Sequence, residues 1–342
     1  MDGMRIALIA PPWVPVPPPL YGGTESVVHQ LAVGYQQAGH EVLLFTTADS
    51  TCPVPMASAA GQVDRGRIGL SMPEMRHVMA AYEVVSDFDI IHDHTEIGPV
   101  YSVGRARGAV VTTLHNPLDA TRLPVYERIA RDVNIVLISN AQRRAAGRLR
   151  ISRVIHHGVD PSAYPIGSGD GDYVLFLGRM SPDKGVHRAL EAAFKAGVPL
   201  VVAAKMRTRE EHEYFDACVR PYLNDDLRYI GEVNEAEKLQ LLAGARALLN
   251  PIQWNEPFGL VMIEAMACGT PVLAFAAGAA PEIVSDGLTG YLCRDEADMA
   301  EAIARVDLID RAACRAVVDE YFSADRMVEE YLALFDDLVA RR

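Results

Sequence analysis

Apolar runs of strand length alternate with stretches of helical period along most of the chain. Residues 4–10 form a continuous apolar run, as expected of a parallel strand covered on both faces. A Pro-rich turn at 11–19 then leads to Tyr21-Gly22-Gly23-Thr24 and a helical pattern over 25–38. Further strands are predicted at 41–46, 89–92, 110–114 and 133–138, with helices at 72–85 and at 141–149, the second capped by Ser139-Asn140. The stretch 51–71 has scattered Pro and Gly without a period and reads as a surface excursion. At 161–172 Pro, Gly, Ser and Asp replace the apolar period, as in an interdomain linker. A second series follows, with strands at 174–177, 200–203, 227–230, 247–249 and 272–275. Its helices are expected at 186–196, 207–223, 235–243, 299–306, 310–320 and 324–339. Strands alternating with helices throughout predict an α/β protein built on parallel sheets.

The chain has 342 residues, enough for two domains that each bury a core. A net charge of −13 argues against nucleic acid, and less strongly against anionic membranes, since partners of that kind select basic surfaces. The five cysteines are odd in number and widely spaced, with no C-x-x-C pair, so reduced and mostly buried thiols are expected. No stretch approaches the roughly 20 apolar residues of a membrane span, and Met1 to Arg5 lead directly into the first strand. A cytoplasmic location without stable membrane insertion is the resulting expectation.

Candidate chemistry concentrates in 250–272, where a loop of turn formers, Asn255-Glu256-Pro257-Phe258-Gly259, precedes an apolar helix that Gly269 and Pro271 end. The N-terminus of such a helix, at Phe258-Gly259-Leu260, suits an anion. Glu256 stands before it and Glu264 inside it, so the two carboxylates could act on one molecule at two points. Taken alone, a cap and a paired surface Glu would give the same spacing. Gly178-Arg179 to Lys184-Gly185 place two cations at a strand end, a clamp for diphosphate or simply a solvated basic pair. Gly22-Gly23 allow close backbone approach to a phosphate or merely a flexible turn. His115 ends a strand and so lies toward the ligand side of a parallel sheet. Asp87-Phe88-Asp89 and His92-Asp93-His94 have metal-like spacing, but the first precedes its strand and would point away from a ligand, so no metal is expected.

The run 250–272 resembles the signature of the retaining group-one (family 4) glycosyltransferases, and the spacing G-R-x4-K-G is similar to their diphosphate loop. The resemblance covers nearly the whole chain. It implies the GT-B fold: two Rossmann-like domains facing across a cleft, with a C-terminal helix crossing back to the first. The domains would then be 1–160 plus 324–342 on the acceptor side, and 161–323 binding the sugar nucleotide. It also implies roles. Glu256 would contact the transferred sugar, Glu264 the ribose hydroxyls, and Gly178, Arg179 and Lys184 the diphosphate. Pro257, Phe258, Gly259 and Leu260 would form the phosphate-facing helix start, Glu232 and Val233 would meet the base through main chain, and Gly22 and Gly23 would approach the distal phosphate. His115 would be catalytic with Glu256, Arg179 and Lys184. In the family an Asp usually follows that His, where this chain has Asn116, and Ala279 stands where a second Gly is usual.

The implied reaction transfers a sugar from a nucleotide diphosphate sugar, UDP before GDP, to a hydroxyl of a small-molecule or oligosaccharide acceptor, with retention and without cofactor or metal. The short chain with Ala- and Arg-rich helices is similar to members that serve oligosaccharide antibiotics such as avilamycin. Rival readings are a sugar-nucleotide epimerase and a catalytically silent sugar-nucleotide-binding protein. A classical phosphorylase needs a far longer chain. A dinucleotide dehydrogenase needs a G-x-G-x-x-G after the first strand, and the sequence has none there.

Overall fold

The computed structural model of the chain describes residues 3–20, 22–59 and 68–341. Tyr21 and residues 60–67 of the expected surface excursion lie outside them. Ile6, Ala7, Leu8 and Ile9 have no exposed surface because their strand, β1 (Arg5–Ile9), pairs in parallel on both edges and is covered on both faces. Around it the first unit places β2 (Glu41–Thr46), β3 (Met56–Ser58), β4 (Ile90–Asp93), β5 (Ala109–Leu114), β6 (Asn134–Leu137) and β7 (Arg153–Val154) in the order β3-β2-β1-β4-β5-β6-β7. Its helices include α1 (Gly23–Gln37), α2 (Ser71–Val85), α3 (Gly98–Ser102), α4 (Leu123–Ile129) and α5 (Asn140–Ala145). The strand order reverses between β1 and β4, where the loops after neighbouring strands diverge and open a crevice at their carboxyl ends. The loops leading to Gly22 and His94 flank that point.

The second unit repeats the plan with β8 (Val174–Arg179), β9 (Leu200–Lys205), β10 (Leu227–Gly231), β11 (Leu248–Asn250), β12 (Val272–Phe275) and β13 (Gly290–Cys293). Their order is β10-β9-β8-β11-β12-β13, and the helices are α6 (Val186–Ala196), α7 (Arg209–Cys218), α8 (Glu235–Gly244), α9 (Leu260–Ala267), α10 (Ala280–Ile283), α11 (Glu296–Ala304) and α12 (Arg311–Tyr321). The reversal here lies between β8 and β11. It therefore sets the loop from Arg179 to Lys184 beside the loop carrying Glu256. A last helix, α13 (Ala324–Ala340), belongs to the first unit, where it packs on α1. Its apolar stripe of Met327, Val328, Tyr331, Leu334 and Phe335 is buried, Phe335 meets Tyr35 edge-on at 5.4 Å, and the Tyr331 hydroxyl lies 2.7 Å from Thr113 Oγ1.

Several local expectations change. The excursion at 51–71 contains β3, a three-residue edge strand paired with β2 and too short to show a period. The helix expected from 25 begins at Gly23, and Gly178 and Arg179 end a strand rather than open a loop. The stretch 161–172, expected as a linker, is bonded along the second unit: Gly167 N donates to Cys268 O at 3.0 Å and Gly171 N to Gly244 O at 3.0 Å. The two compact units comprise Met1–Gly158 with Ala324–Arg342, and Val159–Ser323. Val159 N donates to Phe322 O at 3.0 Å, so the two chain segments at this changeover are tied to one another. All five cysteines are free, and burial pushes the Cys52 thiol up to about 11 and those of Cys268, Cys293 and Cys314 up to about 12. Among the described residues no helix is long and apolar enough to cross a membrane.

Candidate active site

In the second unit β8 delivers Arg179, and a single turn of 3-10 helix, Pro182–Lys184, follows. The turn brings Lys184 Nζ to both carboxylate oxygens of Glu256, at 2.7 and 2.8 Å, with the side chains only 12% and 17% exposed. Glu256 is fixed from behind by the loop after β12: Ala279 N donates to its carbonyl at 3.1 Å. Gly278 adopts φ +56°, and a Cβ there would lie 2.5 Å from that same carbonyl oxygen. Only the first position of the expected Gly pair needs glycine, which explains how Ala279, fully buried, is accommodated.

Immediately after Glu256 the chain turns through Gly259 at φ +103° into α9, whose first turn has no side-chain cap. Met262 N donates to Gly259 O at 3.0 Å, and the N–H groups of Leu260 and Val261 remain without a capping side chain. The Phe258 side chain faces the core, edge-on to Phe322 at 6.2 Å, which leaves its backbone at the helix start. Arg179 is held by Asp183 at 3.1 Å, with Glu211 at 3.8 Å, and Glu232 pairs with Arg207 at 3.1 Å. Burial first, then the neighbouring Arg207 and Arg179, draws the Lys205 ammonium down to about 8 despite Glu232.

Glu264, on the body of α9, accepts from Lys238 Nζ at 2.8 Å and from the Tyr164 hydroxyl at 3.4 Å. Burial alone would lower the Lys238 ammonium, but Glu264 and Glu235 outweigh it and raise it. Neither Lys238 nor Tyr164 was foreseeable from spacing, because they lie 26 and 100 residues from Glu264.

In the first unit, Gly22 is the N-cap residue of α1 in extended backbone, φ −169°. A Cβ there would sit 2.7 Å from Pro18 Cβ, so close packing alone requires glycine. His115, just past β5, lies with Nε2 2.9 Å from His94 Nδ1 and stacks on His157 at 5.1 Å. Burial lowers His115 to about 4 and holds His92, His94 and His157 well below the usual histidine range, so the cluster is uncharged at neutral pH. Asn116 donates its amide to Glu96, which also pairs with Arg122 at 2.9 Å, and these residues with His115 line a small hollow at the strand ends.

The metal-like patterns have other partners. Asp93 accepts from Tyr82 and Thr95, Asp89 accepts from Arg5 N, and Asp87 pairs with Arg107. Among the described residues no group of three or more His, Cys, Asp or Glu could hold a metal ion. His92 and His94 share a strand face by their spacing of two, which was the one sequence signal for the histidine cluster.

Comparison with known proteins extends this geometry. The sequence profile described as "Glycosyl transferases group 1" matches residues 166–316, and that of "Glycosyltransferase Family 4" matches 21–163. The phosphatidyl-myo-inositol mannosyltransferase of Mycolicibacterium smegmatis is 31% identical over 334 residues, covering 88% of this chain and 84% of that protein. The D-inositol 3-phosphate glycosyltransferase of the same organism is 30% identical over 375 residues, covering 92% and 86%. The crystal structure of AviGT4, a glycosyltransferase involved in avilamycin A biosynthesis, is similar with a TM-score of 0.74 and 28% identity over 99% of both chains. With two Rossmann-like parallel sheets of seven and six strands, the chain belongs to the group 1 glycosyltransferases of GT-B architecture.

Proposed function

We propose that this glycosyltransferase takes its sugar from a nucleotide diphosphate sugar, with uridine as the first base and guanosine as the second. It passes the sugar, with retention of anomeric configuration, to a hydroxyl of a small-molecule or oligosaccharide acceptor. One observation carries the proposal: Lys184 and Glu256 meet at 2.7 Å beside the uncapped start of α9. A cation suited to phosphate and a carboxylate suited to a sugar thus share one site with the uncapped N–H groups of Leu260 and Val261.

As the bond from sugar to diphosphate breaks, negative charge grows on the leaving phosphate and positive charge on the sugar ring. Arg179, Lys184 and the first turn of α9 stabilise the former, and Glu256 the latter. These groups do what a divalent metal does elsewhere, so donor binding needs none. In this scheme Gly178 borders the diphosphate, Glu232 and Val233 meet the base through main chain, and Glu264 takes the ribose. Gly22, Gly23 and His115 belong to the first unit, to which we assign the acceptor. The names of the relatives make mannose and inositol-bearing acceptors the first candidates, with antibiotic oligosaccharides next.

Calorimetric titration of UDP, GDP and ADP, with and without EDTA, tests the donor half, and loss of binding on chelation would overturn the metal-free site. The anomeric coupling of the transferred sugar, read by proton NMR, tests retention. Release of free nucleotide with acceptor present separates a transferase from a silent binding protein.

A further inference from the structure

Helices α8 and α9 meet through a charge network whose asymmetry bears on nucleotide recognition. Lys238 Nζ donates to Glu264 Oε1 at 2.8 Å and to Glu235 Oε2 at 2.8 Å. The Tyr164 hydroxyl donates to the same Oε1 at 3.4 Å, and the Lys238 ammonium lies 5.9 Å from the Tyr164 ring centroid. Lys238 and Glu264 are each 16% exposed, so their charges are poorly solvated and strongly coupled. Among the described residues every hydrogen bond to the Glu264 side chain falls on Oε1. Oε2 retains two lone pairs, enough to accept both hydroxyls of a vicinal diol.

We propose that Lys238 is a positioning residue for donor recognition, anchoring Glu264 through Oε1 so that Oε2 is presented to the ribose diol of the nucleotide. The proposal rests on the assignment of Glu264 to the ribose made above. A free glutamate has several rotamers, and fixing it in advance removes an ordering cost that binding would otherwise bear. The ammonium also offsets a carboxylate charge that would repel an incoming diphosphate. Tyr164 closes the other side of Oε1 and directs the carboxylate plane. The device selects for the sugar hydroxyls rather than for the base or the phosphates.

Binding of UDP and GDP, each beside its 2′,3′-dideoxy analogue, is to be measured by calorimetry on the wild type, Lys238→Met, Lys238→Arg and Glu264→Gln. Lys238→Met is expected to weaken the ribonucleotide roughly tenfold or more while leaving the dideoxy analogue within about twofold. Lys238→Arg, which keeps the cation, is expected to recover most of the loss. Equal weakening of both nucleotides by Lys238→Met would overturn the proposal, as would no weakening of either. Glu264→Gln tests the underlying assignment separately. If it fails to distinguish the ribonucleotide from its dideoxy analogue, Glu264 does not hold the ribose and the proposal falls with it. If it does distinguish them and Lys238→Met does not, the positioning role alone is wrong.

Discussion

Lys184 donates to both carboxylate oxygens of Glu256, at 2.7 and 2.8 Å, so two groups proposed to engage different parts of the donor neutralise each other before it arrives. Phosphate binding must draw the ammonium away from the carboxylate. Glu256→Gln removes that competitor and is expected to tighten nucleoside diphosphate binding by about 1 kcal/mol, roughly fivefold. Turnover should fall about a hundredfold or more, because the stabilised charge on the sugar ring is lost. Calorimetry beside steady-state kinetics checks both, and weaker nucleotide binding by this variant would contradict the competition.

Lys205 predicts a proton linked to binding. With its ammonium drawn down to about 8, part of the population is neutral near that pH, and a bound polyanion favours the charged form. Nucleoside diphosphate binding at pH 8 should therefore take up a fraction of a proton, and affinity should fall as pH rises further. Titrations in buffers of different ionisation enthalpy read this directly. Zero uptake, or uptake unchanged in Lys205→Met, would refute it.

The buried histidines make the first unit sensitive to acid. His115 and His77, both lowered to about 4, are neutral in the fold but protonated below about 6.5 when unfolded. The unfolded chain therefore binds more protons between pH 6.5 and 4, and their contribution to stability is lost as pH falls through that window. Asp93, raised to about 6 chiefly by burial, acts in the opposite sense between pH 6 and 3.8. Glu74, also raised by burial, acts in the same sense as Asp93, but the lowered histidines of this unit, His29, His77, His92, His94, His115 and His157, outnumber the two carboxylates. Denaturant unfolding should show lower stability at pH 5 than at pH 7, and His115→Asn should flatten that dependence.

Gly278 and Ala279 are adjacent but should respond oppositely to exchange. Gly278→Ala adds a Cβ 2.5 Å from the Glu256 carbonyl oxygen at φ +56° and should cost about 1 to 3 kcal/mol, seen in thermal unfolding and in lost turnover. Ala279→Gly keeps the N–H that bonds Glu256 and should leave kcat/KM within about threefold. Equal loss in both variants would mean that the turn does not hold Glu256.

The elements most legible in the sequence were those whose information is local. A continuous apolar run made β1 unmistakable, and E-x7-E with G-R-x4-K-G pointed to Glu256, Glu264, Arg179 and Lys184. Their partnerships were a different matter. Lys184 and Glu256 are 72 residues apart and meet only because the sheet order reverses between β8 and β11. Lys238 looked like one charge among many on a polar helix, and Tyr164 lay in a segment whose Gly and Pro content imitates a linker while its backbone is bonded to the second unit. Asn116 stands where the family usually has an Asp beside the His, but it is burial that keeps the His115 ring neutral.

The return of α13 to the first unit sets an order of assembly. Residues 159–323 form a continuous unit and can collapse on their own as they leave the ribosome. The first unit is synthesised earlier yet stays incomplete, because the side chains that cover α1 and meet Thr113, namely Tyr331 and Phe335, arrive only after the whole second unit. Until then Tyr35 and the buried histidine cluster lack one wall, so the unit begun first is the one finished last.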